Sequence, residues 1–285
     1  MATQSDIIEN AVKEALEQIQ KHAAAEYAKL NSEPSQKEKV IEAARAAASE
    51  TLELNKEFTG KPQNIDERLA KHLPDSRIQL IKDGLNIPTF RLEIAKEQDM
   101  HLLQFTREGK QFLPERKLAS IEDIDWGTAM QYASILVEGI LLALSATGIS
   151  LSPSGEEINE ACRETCAAIE NSSAMQRALE AFVEAWNAAG DGAAGYWEKA
   201  KALFYLLKDS YSAGIFWNVV KIVCSNMSWF DWVWTSAKVT AMIVAAFATD
   251  GAALIAEMAL SIMSAVDFAR KIANINQLSE LKKSL

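Results

Sequence analysis

A mainly α-helical fold is what this sequence predicts, and three observations carry the prediction. Alanine-rich segments with apolar residues at three- and four-residue spacing fill both ends of the chain. Only 12 Gly and 6 Pro interrupt 285 residues that are 49% apolar and 24% charged, the balance of a folded protein rather than a disordered or fibrous one. Gly or Pro falls between successive helical stretches, at Gly148, Pro153, Gly190, Gly195, Gly214 and Gly251. The expected architecture is an N-terminal αα-hairpin, a small β-hairpin in the middle and a C-terminal bundle of about seven helices that buries a hydrophobic hairpin.

Taken in order, Asp6 and Glu9 have capping-box spacing, and Ile8, Val12, Leu16, Ile19, Ala23, Tyr27 and Leu30 then mark one helical face. Asn31–Ser35 breaks that face. Ser35 with Glu38 caps a second helix whose stripe is Val40, Ala44, Ala47, Thr51, Leu54 and Phe58. Joined at Pro34, the two make an antiparallel pair. Their seam packs on the rest of the chain, on a partner helix, or on a second copy through 6–58. Gly60-Lys61-Pro62 ends the pair, and one or two short helices are expected from Ile65 to Gly84. The period then falls to two: Phe90, Leu92 and Ile94 alternate with polar residues, and His101–Thr106 supplies a returning strand.

From Ser120, which caps with Asp123, helices are expected over about 123–147, 155–171, 173–189, 195–212, 213–225, 229–249 and 251–274. Divided at Ala119, the chain carries 18 Lys/Arg against 20 Asp/Glu before it and 11 against 19 from there on, with all seven tryptophans in the second part. We expect three regions: 1–60, the αα-hairpin; 61–118, a small α+β segment; 119–285, the apolar helical domain.

Charge and motifs exclude several function classes. A net charge of −10 and no Lys/Arg cluster argue against a nucleic-acid partner, whose phosphates such a surface repels. The start, MATQSDIIENAVKEALEQ, has no basic and apolar signal regions, so a cytoplasmic location is the default, with release lacking a classical signal left open. Cys162 and Cys166, one helical turn apart, read as small core hydrophobes, and His22, His72 and His101 stand singly, so no metal is expected. Gly190-Asp-Gly192-Ala-Ala-Gly195 matches the dinucleotide fingerprint, but "ALEAFVEAWNAA" before it has helical spacing where a strand is required. An interhelical loop, and no cofactor, is the expectation. No phosphate loop, nucleophile elbow or Cys–His pair occurs, and a non-enzymatic protein is expected.

The stretch 225–268, "SNMSWFDWVWTSAKVTAMIVAAFATDGAALIAEMALSIMSAVDF", is the informative one. Ser228 and Asp231 open a helix, Thr249-Asp250-Gly251 turns it, and a second apolar helix follows. Val233–Ala248 and Ala252–Val266 span about 24 and 22 Å at 1.5 Å per residue, short of the roughly 30 Å hydrocarbon core. No permanent span is therefore expected. In the second arm five Leu, Ile and Val residues favour lipid by about 2.5 kcal/mol, while an ionised Glu257 opposes by about 3 kcal/mol. Trp229, Phe230, Trp232 and Trp234 suit a membrane interface or the centre of a bundle. A second apolar run, 132–151, carries only Glu138.

Within residues 233–266 the run "WTSAKVTAMIVAAFATDGAALIAEMALSIMSAV" resembles the buried hydrophobic hairpin of α-helical pore-forming toxins of the channel-forming colicin type. The resemblance implies a soluble form that opens its bundle at a membrane and inserts this pair first. Hairpins of that family are typically longer and nearly uncharged, and Glu257 departs from them. The expected function is therefore a membrane-active, toxin-like protein whose partner is membrane lipid or a membrane receptor. In it Trp229, Phe230, Trp232 and Trp234 are interfacial anchors, and Asp250 and Glu257 are the pH-sensitive brake. The alternative is a non-enzymatic scaffold that binds a partner through its N-terminal helices.

Overall fold

Residues 2–58, 63–83, 91–98, 100–107, 110–146, 148–149, 153–263 and 266–284 are described by the computed structural model. At the N-terminus, α1 (Gln4–His22), α2 (Ala24–Ser32) and α3 (Pro34–Glu57) form the expected antiparallel pair, with the first arm broken at Ala23. Thr3, not Asp6, is the cap of α1: Asp6 N–H donates to Thr3 Oγ1 at 3.2 Å, and Thr3 N–H donates to Asp6 Oδ2 at 2.8 Å. Asp6 is thus the third residue of the box, which frees Glu9 to accept from Arg45 Nε of α3 at 3.0 Å. No side chain caps α3; Pro34 begins it, where a missing N–H costs nothing. All six expected stripe residues of α3, Val40 to Phe58, are buried.

Two short helices follow, α4 (Ile65–His72) and α5 (Asp75–Asp83). The β-region contains the expected pair, β1 (Arg91–Glu97) and β2 (Met100–Arg107), and a third strand, β3 (Lys110–Lys117), in antiparallel order β1-β2-β3. Phe90 and Gly60–Pro62 lie outside the described residues. Pairing Leu92 with Phe105 puts both on the buried face, together with Leu103. The pattern conceals β3 because Pro114 stands inside it, which an edge strand tolerates.

Eight helices complete the chain: α6 (Ile121–Ala146), α7 (Gly155–Glu170), α8 (Ser173–Ala188), α9 (Gly192–Ser212), α10 (Ile215–Val223), α11 (Trp229–Phe247), α12 (Ala252–Ile262) and α13 (Val266–Ser284). The stretch expected as one helix over 251–274 is divided, α12 ending at Ile262, and neither Gly nor Pro marks the division. Helix α6 is the axis of the fold. It is long and apolar enough to cross a membrane, yet its most apolar 18-residue stretch is wholly buried among α5, α7, α9, α10, α12 and α13. A helix apolar on every side must be enclosed, either by protein or by lipid. The sheet covers its first turns: Phe105 meets Trp126 edge to face at 5.5 Å, and Gln131 Nε2 donates to the Leu92 carbonyl at 3.3 Å.

Helices α11 and α12 are the buried apolar pair, bent by 109° at their junction. Helix α11 lies against α3 and α1, and α12 against α9, α3, α5 and α6. Small residues permit close approach on the first of these contacts: Ala237, Ala241 and Ala245 recur every fourth residue in α11, facing elements that bury Ala11, Ala15, Ala44 and Ala48. The seam offered by the N-terminal helices is thus laid on α11. Asn55 of α3 fastens the corner, donating to the Thr249 carbonyl at 3.2 Å and accepting from Ala253 N–H at 2.6 Å. One side chain so satisfies orphan groups at the end of one helix and the start of the next.

At that corner Asp250 and Gly251 both have positive φ, 62° and 65°. A Cβ on Gly251 would stand 2.3 Å from the Phe204 ring of α9, so the turn closes only on a residue without a side chain. Gly251→Ala should therefore cost about 2–4 kcal/mol of stability, left-handed strain plus overpacking. Gly190→Ala, at φ 69° with open space around it, should cost only about 1 kcal/mol. Urea unfolding of both variants measures the difference.

Candidate functional site

The expected site residues do not converge. Trp229, Phe230, Trp232 and Trp234 stand at the N-terminal end of α11, and Asp250 stands beyond its other end, about 28 Å away for 19 residues. Ser228 opens the helix as expected, accepting from Asp231 N–H at 3.2 Å. Trp232 is buried, while Trp229, Phe230 and Trp234 are half-buried, packed on the core along one edge. Trp229 and Phe230 meet edge to face at 5.7 Å. The ammonium of Lys29 lies 4.1 Å from the Trp229 ring centre, and that of Lys238 lies 4.5 Å from the Trp234 ring centre. Asp250 is exposed.

Glu257 is the residue around which the geometry is organised. It is 2% exposed, in the middle of α12, and accepts from Arg77 Nη2 at 3.1 Å. Arg77 comes from α5 and also donates to Glu50 of α3 and to the Ala146 carbonyl, the last of α6, from Nη2 at 2.9 Å and Nε at 3.2 Å. One guanidinium therefore joins the corner helix, the central helix and the N-terminal pair. A second buried ion pair repeats the arrangement: Lys271 of α13 donates to Glu138 of α6, and both are under 5% exposed. Each apolar segment thus holds a buried carboxylate whose cation comes from a different helix. No periodicity in the sequence singles out Arg77, Glu50, Asn55 or Lys271; the visible signal is the lone acid inside each apolar run.

Burial pushes the Glu257 carboxyl up to about 7, against the lowering influence of Arg77; Glu50 nearby adds to the rise. Since the folded value lies above the ordinary 4.5, its contribution to stability is fully present below about 4.5 and is lost as pH rises through 7. Acid therefore tightens this node. Two other groups act in the opposite sense. His22, at the end of α1, stacks on Trp217 of α10 at 5.6 Å, with its Nε2 buried and unpartnered among the described residues. Burial, then the charges of Lys21 and Lys221, hold its pKa below 6.5, so its contribution is present above 6.5 and lost as pH falls through the folded value. Glu157 of α7 is pushed up by burial, but bonds from Ser225 and Ser154 hold it below 4.5, so its contribution is also lost in acid.

The remaining motifs find ordinary places. The expected interhelical loop is shorter than Gly190–Gly195: α8 ends at Ala188 and α9 begins at Gly192, so Gly195 lies in the first turn of α9, and a helix, not a strand, precedes the glycines. Cys162, Cys166 and Cys224 are free and buried, and burial raises all three thiols. Among the described residues no group of three metal-ligating side chains assembles. Comparison with protein-family models, curated proteins and solved structures finds no match to this chain.

Arg77→Met leaves Glu257 buried beside no cation, so the loss of stability should reach about 3–5 kcal/mol at pH 8 and shrink below about 2 kcal/mol at pH 5, where the carboxyl is neutral. Glu257→Gln should cancel the gain in stability that this residue gives the native protein between pH 8 and pH 5, on the order of 3 kcal/mol. Denaturant midpoints of native protein and both variants across that range test each statement.

Proposed function

We propose that this protein is a membrane-active helical protein of the pore-forming type, holding α6 and the α11–α12 corner inside a closed bundle and transferring them to a bilayer on opening. The observation that carries this reading is the pairing just described: each of two apolar segments contains one buried carboxylate held by a cation on another helix. A segment that only filled a core would be more stable with an apolar residue at that position, because a buried ion pair seldom repays its desolvation. Over 132–146 the seven Ile, Leu and Val residues favour lipid by about 3.5 kcal/mol, and an ionised Glu138 opposes by about 3 kcal/mol. The same near-cancellation holds for the second arm. Proton uptake, or delivery of a cation, decides the sign.

Opening begins, on this reading, at the contact of α1 and α3 with α11. The contact of α1 and α3 with α11 is rich in alanine, and each buried methylene is worth about 0.8 kcal/mol, so alanine surfaces hold less firmly than the leucine-rich centre. As pH falls below 6.5, His22 loses its stabilising contribution, which loosens α1, while the same acid neutralises Glu257 for entry into lipid. Half-buried Trp229, Phe230 and Trp234 then meet the interface, where the two indoles can keep their N–H groups on the polar side.

Dye release from liposomes at pH 7 and pH 5 tests the reading. Release is expected to be faster at pH 5, to rise further in Asn55→Ala, which unfastens the corner, and to vanish in Glu257→Lys, whose charge acid cannot remove. Vesicles that stay intact at both pH values, in zwitterionic and anionic membranes alike, overturn it.

A further inference from the structure

A narrow polar stripe runs along the apolar surface of α6. Its buried polar side chains are Gln131, Ser134, Glu138 and Ser145, and at 3.6 residues per turn they fall within an arc of about 60°. Leu136 and Ile140 lie on the opposite side, where no such group interrupts.

One helix covers the stripe. Lys271 and Asn274 of α13, three residues apart and so on one face, donate to Glu138 and to the Leu92 carbonyl. That carbonyl also accepts from Gln131 Nε2 at 3.3 Å. Leu278, one turn further along α13, closes on Gly127 of α6, where an added Cβ would stand 3.8 Å from its methyl groups. Gln131 Oε1 is left buried with no hydrogen-bond partner among the described residues, so the closed bundle does not complete the stripe.

The two helices differ in what a bilayer accepts. With 26 residues α6 is about 39 Å long, and among the described residues it is the single helix long and apolar enough to cross a membrane unaided. Helix α13 carries Arg270, Lys271, Glu280, Lys282 and Lys283, too many charges to follow it. Transfer of α6 therefore parts Glu138 from Lys271. An ionisable side chain at membrane depth turns to a helix bundle or to water and away from lipid, and the whole stripe turns with it.

We propose, resting on the membrane-active reading above, that Gln131, Ser134, Glu138 and Ser145 from several copies of α6 line the lumen of the open pore, and that its permeant species are small cations. A ring of carboxylates draws cations in and turns anions away, and amide and hydroxyl oxygens beside it replace part of a cation's hydration shell.

Potassium chloride gradients across a planar bilayer of zwitterionic lipid test the proposal, with pores formed by the full chain at pH 5 and read after return to pH 7, where a carboxylate in water is ionised. Permeability to K⁺ should exceed that to Cl⁻ by about tenfold. Glu138→Gln should bring the ratio within about twofold of unity. That variant leaves Lys271 buried without its anion, so Glu138→Gln combined with Lys271→Met, which removes both charges, carries the same test if the single variant fails to fold. Glu156→Gln, at an exposed carboxylate of α7, should leave the ratio unchanged. Native pores that pass Cl⁻ as readily as K⁺, Glu138 variants that keep the native ratio, or an equal loss in Glu156→Gln overturn this proposal and leave the membrane reading standing. A bilayer that carries no current at either pH overturns both.

Discussion

A carboxylate in the middle of an apolar helix is the constraint from which the rest of this structure follows. Glu257 cannot be buried alone, and the guanidinium that reaches it must itself be held in place. Arg77 meets both conditions by spreading its donors over Glu257, Glu50 and the final carbonyl of α6. The short helix α5 exists in the right place because its apolar side, centred on buried Ile81, is seated against α6 and α12. Position of α5, direction of the α6 terminus and depth of α12 are consequently coupled: displacing any one leaves a charge or a carbonyl without its partner.

That node also explains how a polar N-terminal region and an apolar C-terminal one become one body. Residues 1–58 carry no large aromatic core of their own; their stripes are mostly alanine, valine and leucine. Their apolar faces are completed by α11 and their polar connections by Glu50 and Asn55, both directed to the corner. Alanine permits the close approach and limits its strength at the same time. The result is a cover whose attachment depends on a few directional bonds more than on area.

Much of the fold is legible in the sequence, for physical reasons that also mark where legibility stops. The stripe Val40 to Phe58 is buried throughout because a three- and four-residue period determines one face of a long helix. Ser228 caps α11, and Ser120 with Asp123 caps α6, because these bonds are local. What the pattern conceals is non-local or unpunctuated: the break after Ile262, the strand with Pro114 inside it, and the start of α9 at Gly192. For the candidate site the acids Glu257 and Glu138 stand out against their apolar surroundings, but Arg77 lies 180 residues from its partner and Lys271 lies 133. Nothing in the spacing of either cation indicates what it will meet. The distribution of the aromatic cluster and Asp250 to opposite ends of α11 is likewise a matter of helix length, readable once the helix boundaries are known.

The order of segments along the chain gives the alanine cover a role during synthesis. Helices α1 and α3 leave the ribosome well before α11, which they will enclose, at about 5–20 residues per second. When α11 emerges, the segments that will enclose it are already present, on the same molecule and at high local concentration. The order of segments thereby shortens the interval in which α11 lacks its cover, a service that a C-terminal cover could not perform.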